Sequence, residues 1–234
     1  MVESTTRGTL YGVSVGPGDP ELMTLQAVRC LQRCSVIAAP QTKSGQMLAL
    51  EIAQGAVELD DKIILPLHFP MSRDKDQQRT AHENAVRALQ EHLDAGKDVA
   101  MLNLGDVSVY ATFGYIQTIL QEQGYATRML AGVPSFCASA ARLNQPLTAA
   151  MDQPLTIAPG SAADTVLDIP GSKVLMKTGS QLPRTLETLA AHGKLAHSAM
   201  VCNCGLPQEE VWPDLSVYDA NRPAGYFATI LVKE

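Results

Sequence analysis

Three glycine turns carry the residues in this chain that could do chemistry. They are Gly12-Val13-Ser14-Val15-Gly16-Pro17-Gly18-Asp19-Pro20, Leu104-Gly105-Asp106-Val107 and Ala131-Gly132-Val133-Pro134-Ser135-Phe136. Each follows an apolar run. Glycine lacks a Cβ, so such a turn lets backbone approach a ligand closely. Asp106 adds a carboxylate that can cap a helix and also touch a ligand, and Tyr110 adds a phenol just beyond it. Three such turns at strand ends point to one crevice at the carboxyl edge of a parallel sheet, where ligands bind in open α/β folds. The ligand is not expected to be a dinucleotide, because Gly12, Gly16 and Gly18 do not have G-x-G-x-x-G spacing. No Gly-Lys-Ser/Thr follows either. Pro17 also removes an N–H from a turn that would need several to hold phosphates. A ligand without phosphates fits better.

Other reactive side chains give weaker signals. The five cysteines (Cys30, Cys34, Cys137, Cys202 and Cys204) are odd in number, in a chain of 234 residues. That argues against a disulfide framework. Their spacings are not those of zinc-binding pairs, so reduced, mostly buried thiols, no metal and a cytoplasmic location are expected. His68 is the histidine in a motif-like loop, whereas His82, His92, His192 and His197 fall on helices or their ends and read as surface residues. The formal charge is −6, and no Lys/Arg cluster of five or more appears, which argues against a nucleic-acid partner. No apolar run reaches the length that spans a bilayer, and the polar stretch Met1 to Thr9 does not read as a signal peptide.

The elements that must position the turns alternate. Leu10 to Val15 reads as a strand. Leu22, Leu25, Val28 and Leu31 read as a helix, opened by Asp19-Pro20-Glu21 with Asp as cap and Pro in the first turn, or by Thr24 as the competing cap. Ser35 to Ala39 is a strand closed by Pro40, and Lys62 to Leu65 a strand closed by Pro66. Lys75 to Ala95 is a helix with Val86, Leu89 and Leu93 on one face and Gly96 as its stop. Strand Val99 to Leu104, helix Tyr110 to Gln121, strand Ala126 to Leu130 and helix Ser135 to Leu143 follow. This alternation predicts βαβ units and a mostly parallel sheet. Beyond it the prolines crowd. Leu155 to Ala158, Lys173 to Met176, Ala199 to Asn203, Val211 to Tyr218 and Tyr226 to Val232 read as strands with few helices between. The expected architecture is therefore two α/β domains, residues 1–132 with a mostly parallel sheet and residues 133–234 with a mixed or antiparallel one.

The stretch from Val15 through Thr24 resembles the opening signature of the tetrapyrrole methylase family. Gly105-Asp106-Val107-Ser108-Val109-Tyr110-Ala111-Thr112-Phe113 is similar to that family's Gly-Asp-Pro loop, in the form of its C(20)-methylating members. Gly132 to Asn144 resembles the third motif of that subgroup. Val174-Leu175-Met176-Lys177 and Gly225 to Ile230 resemble its later strands, and Phe69-Pro70-Met71-Ser72-Arg73-Asp74 its loop over the substrate trough. The matches run in order along nearly the whole chain. Two positions depart: Ser14 stands where many members have Gly, and Val107 where most have Pro.

The resemblance implies two α/β domains with S-adenosyl-L-methionine between them. It implies methylation of a reduced tetrapyrrole, precorrin-2 or cobalt-precorrin-2, at C(20). By position, Pro17, Gly105, Asp106, Val107, Tyr110, Cys137, Ala138, Met176 or Lys177, and Gly205 would line the cofactor site. Asp106, Tyr110 and His68 are candidate bases for the departing proton, with water as the fourth. Arg73, Lys177 and Arg184, and more weakly Lys43, are candidates for the substrate carboxylates. A homodimer is also implied.

Overall fold

The computed structural model describes residues 7–70, 72, 74–219, 222 and 227–234. The chain divides into two compact units, Met1–Val133 and Pro134–Glu234.

The first unit runs β1 (Leu10–Ser14), α1 (Leu25–Arg33), β2 (Val36–Gln41), α2 (Leu48–Gln54), β3 (Ile63–His68), α3 (Lys75–Asp94), β4 (Val99–Asn103), α4 (Phe113–Glu122) and β5 (Thr127–Leu130). Its sheet has the order β3-β2-β4-β1-β5, and every neighbouring pair is parallel. β1 and β4 lie inside the sheet and are buried along their whole length. This is why they read as unbroken apolar runs rather than alternating ones. Phe113 and Ile116 of α4 pack with Val86, Leu89 and Leu93 of α3 in one core over the sheet.

Two expectations for this unit need correction. Asp19 does cap, accepting from Glu21 N–H, but it opens only a single 3-10 turn. Helix α1 starts later, where Thr24 Oγ1 accepts from Ala27 N–H at 3.1 Å. It buries Ala27, Cys30 and Leu31, whereas Leu25 is 72% exposed. The three-residue spacing of the leucines belonged to two consecutive elements. Pro40 and Pro66 likewise do not close their strands. β2 pairs with β4 only through Ala38, and beyond that it continues as a ribbon with β3 alone, Pro40 opposite Leu67. A missing N–H is tolerated where a strand has no neighbour on one side.

The second unit runs α5 (Ser135–Arg142), β6 (Leu155–Pro159), α6 (Ala163–Val166), β7 (Ser172–Met176), α7 (Leu182–Ala191), β8 (Ser198–Cys202), β9 (Glu210–Trp212) and β10 (Ala228–Val232). Its sheet is mixed, in the order β6-β7-β10-β8-β9. β6 and β7 are parallel, and all other pairs are antiparallel. Helix α7 was not expected; it buries Leu182, Leu186 and Leu189 at helical spacing. The expected strand Val211 to Tyr218 stops at Trp212, because Pro213 cannot donate to a ladder. A 3-10 turn capped by Asp214 follows. Among the described residues no helix is long and apolar enough to cross a membrane.

Candidate functional site

The strand order of the first unit fixes where a ligand should bind. From β1 the chain crosses over β4 to reach β2, and from β4 it crosses over β1 to reach β5. The two crossovers leave in opposite directions, so the topological switch point lies between β1 and β4, at their carboxyl ends. The first two glycine turns meet there. Gly16 and Gly105 form an isolated antiparallel bridge, with Gly105 N–H donating to Gly16 C=O at 2.7 Å. Both have positive φ, 75° and 74°, a conformation glycine adopts without steric cost.

Polar side chains tie the third turn to the other two. Ser14, fully buried at the end of β1, donates to Leu130 C=O at 2.7 Å and accepts from Val107 N–H at 2.9 Å. One hydroxyl thus links the ends of β1 and β5 to the loop after β4. Asp106 accepts from Gly132 N–H at 2.7 Å through one oxygen and from Ser108 N–H at 2.8 Å through the other, which Ser108 Oγ also reaches. Burial pulls the Asp106 carboxyl upward, but the bonds from Ser108 and Gly132 outweigh it and hold the group below the usual carboxylate range. Gly132 is pressed against this knot, since a Cβ there would lie 2.3 Å from Ser14 Cβ.

Ser14 and Ser108 were not singled out as site builders from sequence. Ser14 stood out only as a departure from the family pattern, and the usable signal was a hydroxyl at the end of a fully apolar strand. Pro17 is buried in the first turn, and Val107 is 2% exposed. Tyr110 is 44% exposed and takes a positive φ of 50°. Non-glycine residues rarely adopt that conformation, and it concentrates at functional sites. His68 is exposed at the end of β3, and Lys43 is exposed in the loop after β2. Arg73 lies outside the described residues. His82 is not a simple surface residue: its ring stacks on Tyr115 at 5.0 Å and lies 5.9 Å from Phe69, and burial lowers its pKa.

In the second unit, β7 and β8 both run antiparallel to β10, so their carboxyl ends share one sheet edge. Met176, half-buried, ends β7 and Lys177, exposed, follows it; Asn203 to Gly205 follow β8. Lys177 and Asn203 both have positive φ, 51° and 52°, which marks these two strand ends as a matched pair of tight turns. Gly205, also at positive φ, donates its N–H to Glu209 at 2.7 Å, and Arg142 bonds the same carboxylate. Cys137 is exposed on α5, whereas the other four cysteines are buried and all five are free, in keeping with mostly buried, reduced thiols. Ala138 beside it is buried. Arg184 makes an exposed ion pair with Asp164 at 3.3 Å, so a ligand carboxylate would have to compete for it. Among the described residues no group of three or more His, Cys, Asp or Glu side chains gathers where a metal could be held.

Comparison with known proteins agrees with this geometry. The family model of tetrapyrrole (corrin/porphyrin) methylases matches residues 9–216. The chain is 34% identical over 233 residues to the cobalt-precorrin-2 C(20)-methyltransferase of Salmonella typhimurium, covering 97% of each. It is 37% identical over 171 residues to a probable cobalt-precorrin-2 C(20)-methyltransferase of Methanocaldococcus jannaschii, covering 72% of each. Its fold resembles that of a uroporphyrin-III C-methyl transferase from Thermus thermophilus solved with S-adenyl homocysteine, with a TM-score of 0.69 and 21% identity over 96% of this chain and 97% of that one. The chain belongs to the tetrapyrrole methylase family.

Proposed function

We propose that this chain is a precorrin-2 C(20)-methyltransferase of cobalamin biosynthesis, which transfers a methyl group from S-adenosyl-L-methionine to C(20) of precorrin-2 or cobalt-precorrin-2. The observation that carries the reading is the likeness, over nearly the whole chain, to an enzyme named for that reaction. The switch-point loops support it, because their chemistry suits the cofactor. They carry glycine at Gly16 and Gly105, both at positive φ, apolar residues at Pro17 and Val107, and no basic side chain in Leu104-Gly105-Asp106-Val107. A phosphate-free adenosyl sulfonium suits loops of that composition.

The cofactor supplies the hard chemistry, a methyl group on sulfonium, and the protein supplies orientation. Gly105 and Val107 would hold the adenosyl group by backbone, with Pro17 and Tyr110 beside them. Ser14 and Asp106 fix the loops rather than react: both Asp106 oxygens are engaged, and its lowered pKa makes it a weaker base than an ordinary carboxylate. The proton that leaves C(20) then has His68, Tyr110 or water as acceptor. The same reading gives cofactor contacts to Cys137, Ala138, Met176, Lys177 and Gly205, and substrate carboxylates to Lys177, Arg73 and Arg184, arginine being able to bind them bidentately. It also gives a cytoplasmic homodimer. The test is to incubate the protein with S-adenosylmethionine and, separately, precorrin-2, cobalt-precorrin-2 and uroporphyrinogen III, and to weigh the products. A single methyl added to either precorrin-2 form is expected. Two methyls added to uroporphyrinogen III would instead indicate a uroporphyrinogen-III methyltransferase.

A further inference from the structure

A second feature of the first unit lies away from the switch-point loops. A cleft of about 500 Å³ opens between α1 and the edge strand β5, lined by Arg29 and Arg33 of α1, Arg128 and Met129 of β5, and Tyr11 of β1. Gln26, Arg29 and Arg33 are spaced three and four residues apart, which places them on one helix face. Arg128 sits directly opposite Tyr11 across the β1–β5 pairing, so both face α1. Tyr11 precedes the carboxyl edge at Ser14 by three residues, roughly 10 Å along a strand. The volume falls within the ~300–1,000 Å³ range of small-molecule sites.

The charge of the cleft sets it apart. Arg7, Arg79, Arg142, Arg184 and Arg222 are all ion-paired, and Arg87 bonds Asn84. Among the described residues, four arginines have no carboxylate partner, Arg29, Arg33, Arg87 and Arg128, and the three of them with no side-chain hydrogen bond or ion pair line this cleft together. The chain as a whole carries a formal charge of −6, so acidic side chains are plentiful yet are kept off this group. Asp98, whose charge reaches Cys30 in the cleft floor, is engaged by Thr9 N–H at 2.8 Å. The Arg33 guanidinium carbon rests 5.1 Å from the centre of the Tyr11 ring, which restricts it before any ligand arrives.

We propose that this cleft binds a small multivalent anion, one whose carboxylate or phosphate oxygens are spaced to meet Arg29, Arg33 and Arg128 together, with Tyr11 and Met129 supporting its apolar part. Guanidinium forks match both kinds of oxyanion bidentately. Two sources offer this chemistry, a carboxylate-rich tetrapyrrole or a polyphosphate. The proposal does not rest on the methyl-transfer reading. It is tested by calorimetric titration at low salt with uroporphyrin and, separately, with tripolyphosphate. The parent protein is compared with an Arg29→Gln/Arg128→Gln double variant and with an Arg79→Gln/Arg87→Gln control. Both substituted pairs are exposed, so folding should persist, and S-adenosylhomocysteine affinity, measured alongside, reports the switch-point loops separately. Affinity for at least one probe should fall at least tenfold in the cleft variant and stay unchanged in the control. Loss with uroporphyrin alone assigns a tetrapyrrole, and loss with tripolyphosphate alone a phosphate ligand. Loss with both assigns a site that reads charge. If neither probe binds the parent at millimolar concentration, or the cleft variant binds both as the parent does, the proposal is overturned.

Discussion

Replacing Ser14 with Ala removes one oxygen and should disturb all three loops. The hydroxyl is fully buried, donates to Leu130 C=O at 2.7 Å and accepts from Val107 N–H at 2.9 Å. Without it both backbone groups lose that partner in an interior with no room for a replacement, since Gly132 already presses on Ser14. A buried group left unsatisfied costs about 1–3 kcal/mol, so the pair should cost at least about 2 kcal/mol. For a chain of this size 1 kcal/mol shifts Tm by about 2–4 °C, and the expected fall is roughly 4–8 °C. The backbone at Val107 also loses its anchor, so S-adenosylhomocysteine affinity should drop by about threefold to tenfold, up to ~1.4 kcal/mol. Thermal melting and calorimetric titration of the variant measure the two effects. A Tm within ~1 °C of the parent, together with unchanged affinity, would refute the claim that this hydroxyl organises the loops.

Three further outcomes are expected. Gly105→Val puts a β-branched side chain at φ 74°, where such residues are strained; the variant should still unfold cooperatively, while S-adenosylhomocysteine, which should bind the parent at micromolar Kd, binds at least ~10-fold more weakly. Equal binding by a folded variant would show that this loop does not line the cofactor site. The Asp106 carboxyl has a folded pKa below its ordinary value of 3.8, so its stabilisation is complete above that value and is lost as pH falls through the depressed folded pKa. Denaturant titrations should therefore find Asp106→Asn less stable than the parent near neutrality, with the gap closing below about pH 4; a gap that stays constant with pH would contradict the assignment. The proposed homodimer predicts sedimentation at twice the 25.0 kDa chain mass at micromolar concentration, and a particle of single-chain mass would exclude it.

Much of the parallel sheet was legible because buried strands such as Val99–Asn103 are continuous apolar runs ending at glycine turns. The long amphipathic helix Lys75–Asp94 was legible for a similar reason: Val86, Leu89 and Leu93 recur on one face, and all three are buried. Short or weakly capped elements were not. Helix α2 has only seven residues and no side-chain cap bond, and α7 hides among polar residues with buried threonines, Thr185 and Thr188, on its inner face. Proline misled at Pro40 and Pro66, because pairing on one side only is a property of sheet order, which local sequence does not encode. At the site, the glycine turns showed where backbone would be bare. Joining them through Ser14 and Asp106 requires contacts between residues far apart in the chain, 93 positions for Ser14 to Val107, and no spacing pattern reports those.

The central claim is methyl transfer to C(20), and carbon-13 labelling of the methyl group of S-adenosylmethionine tests it most directly. The protein should convert precorrin-2 or cobalt-precorrin-2 to a product whose NMR spectrum shows a single labelled methyl on C(20), with S-adenosylhomocysteine formed in equal amount. Label at any other ring carbon, or no transfer to either form by folded protein that binds S-adenosylhomocysteine, would contradict the account.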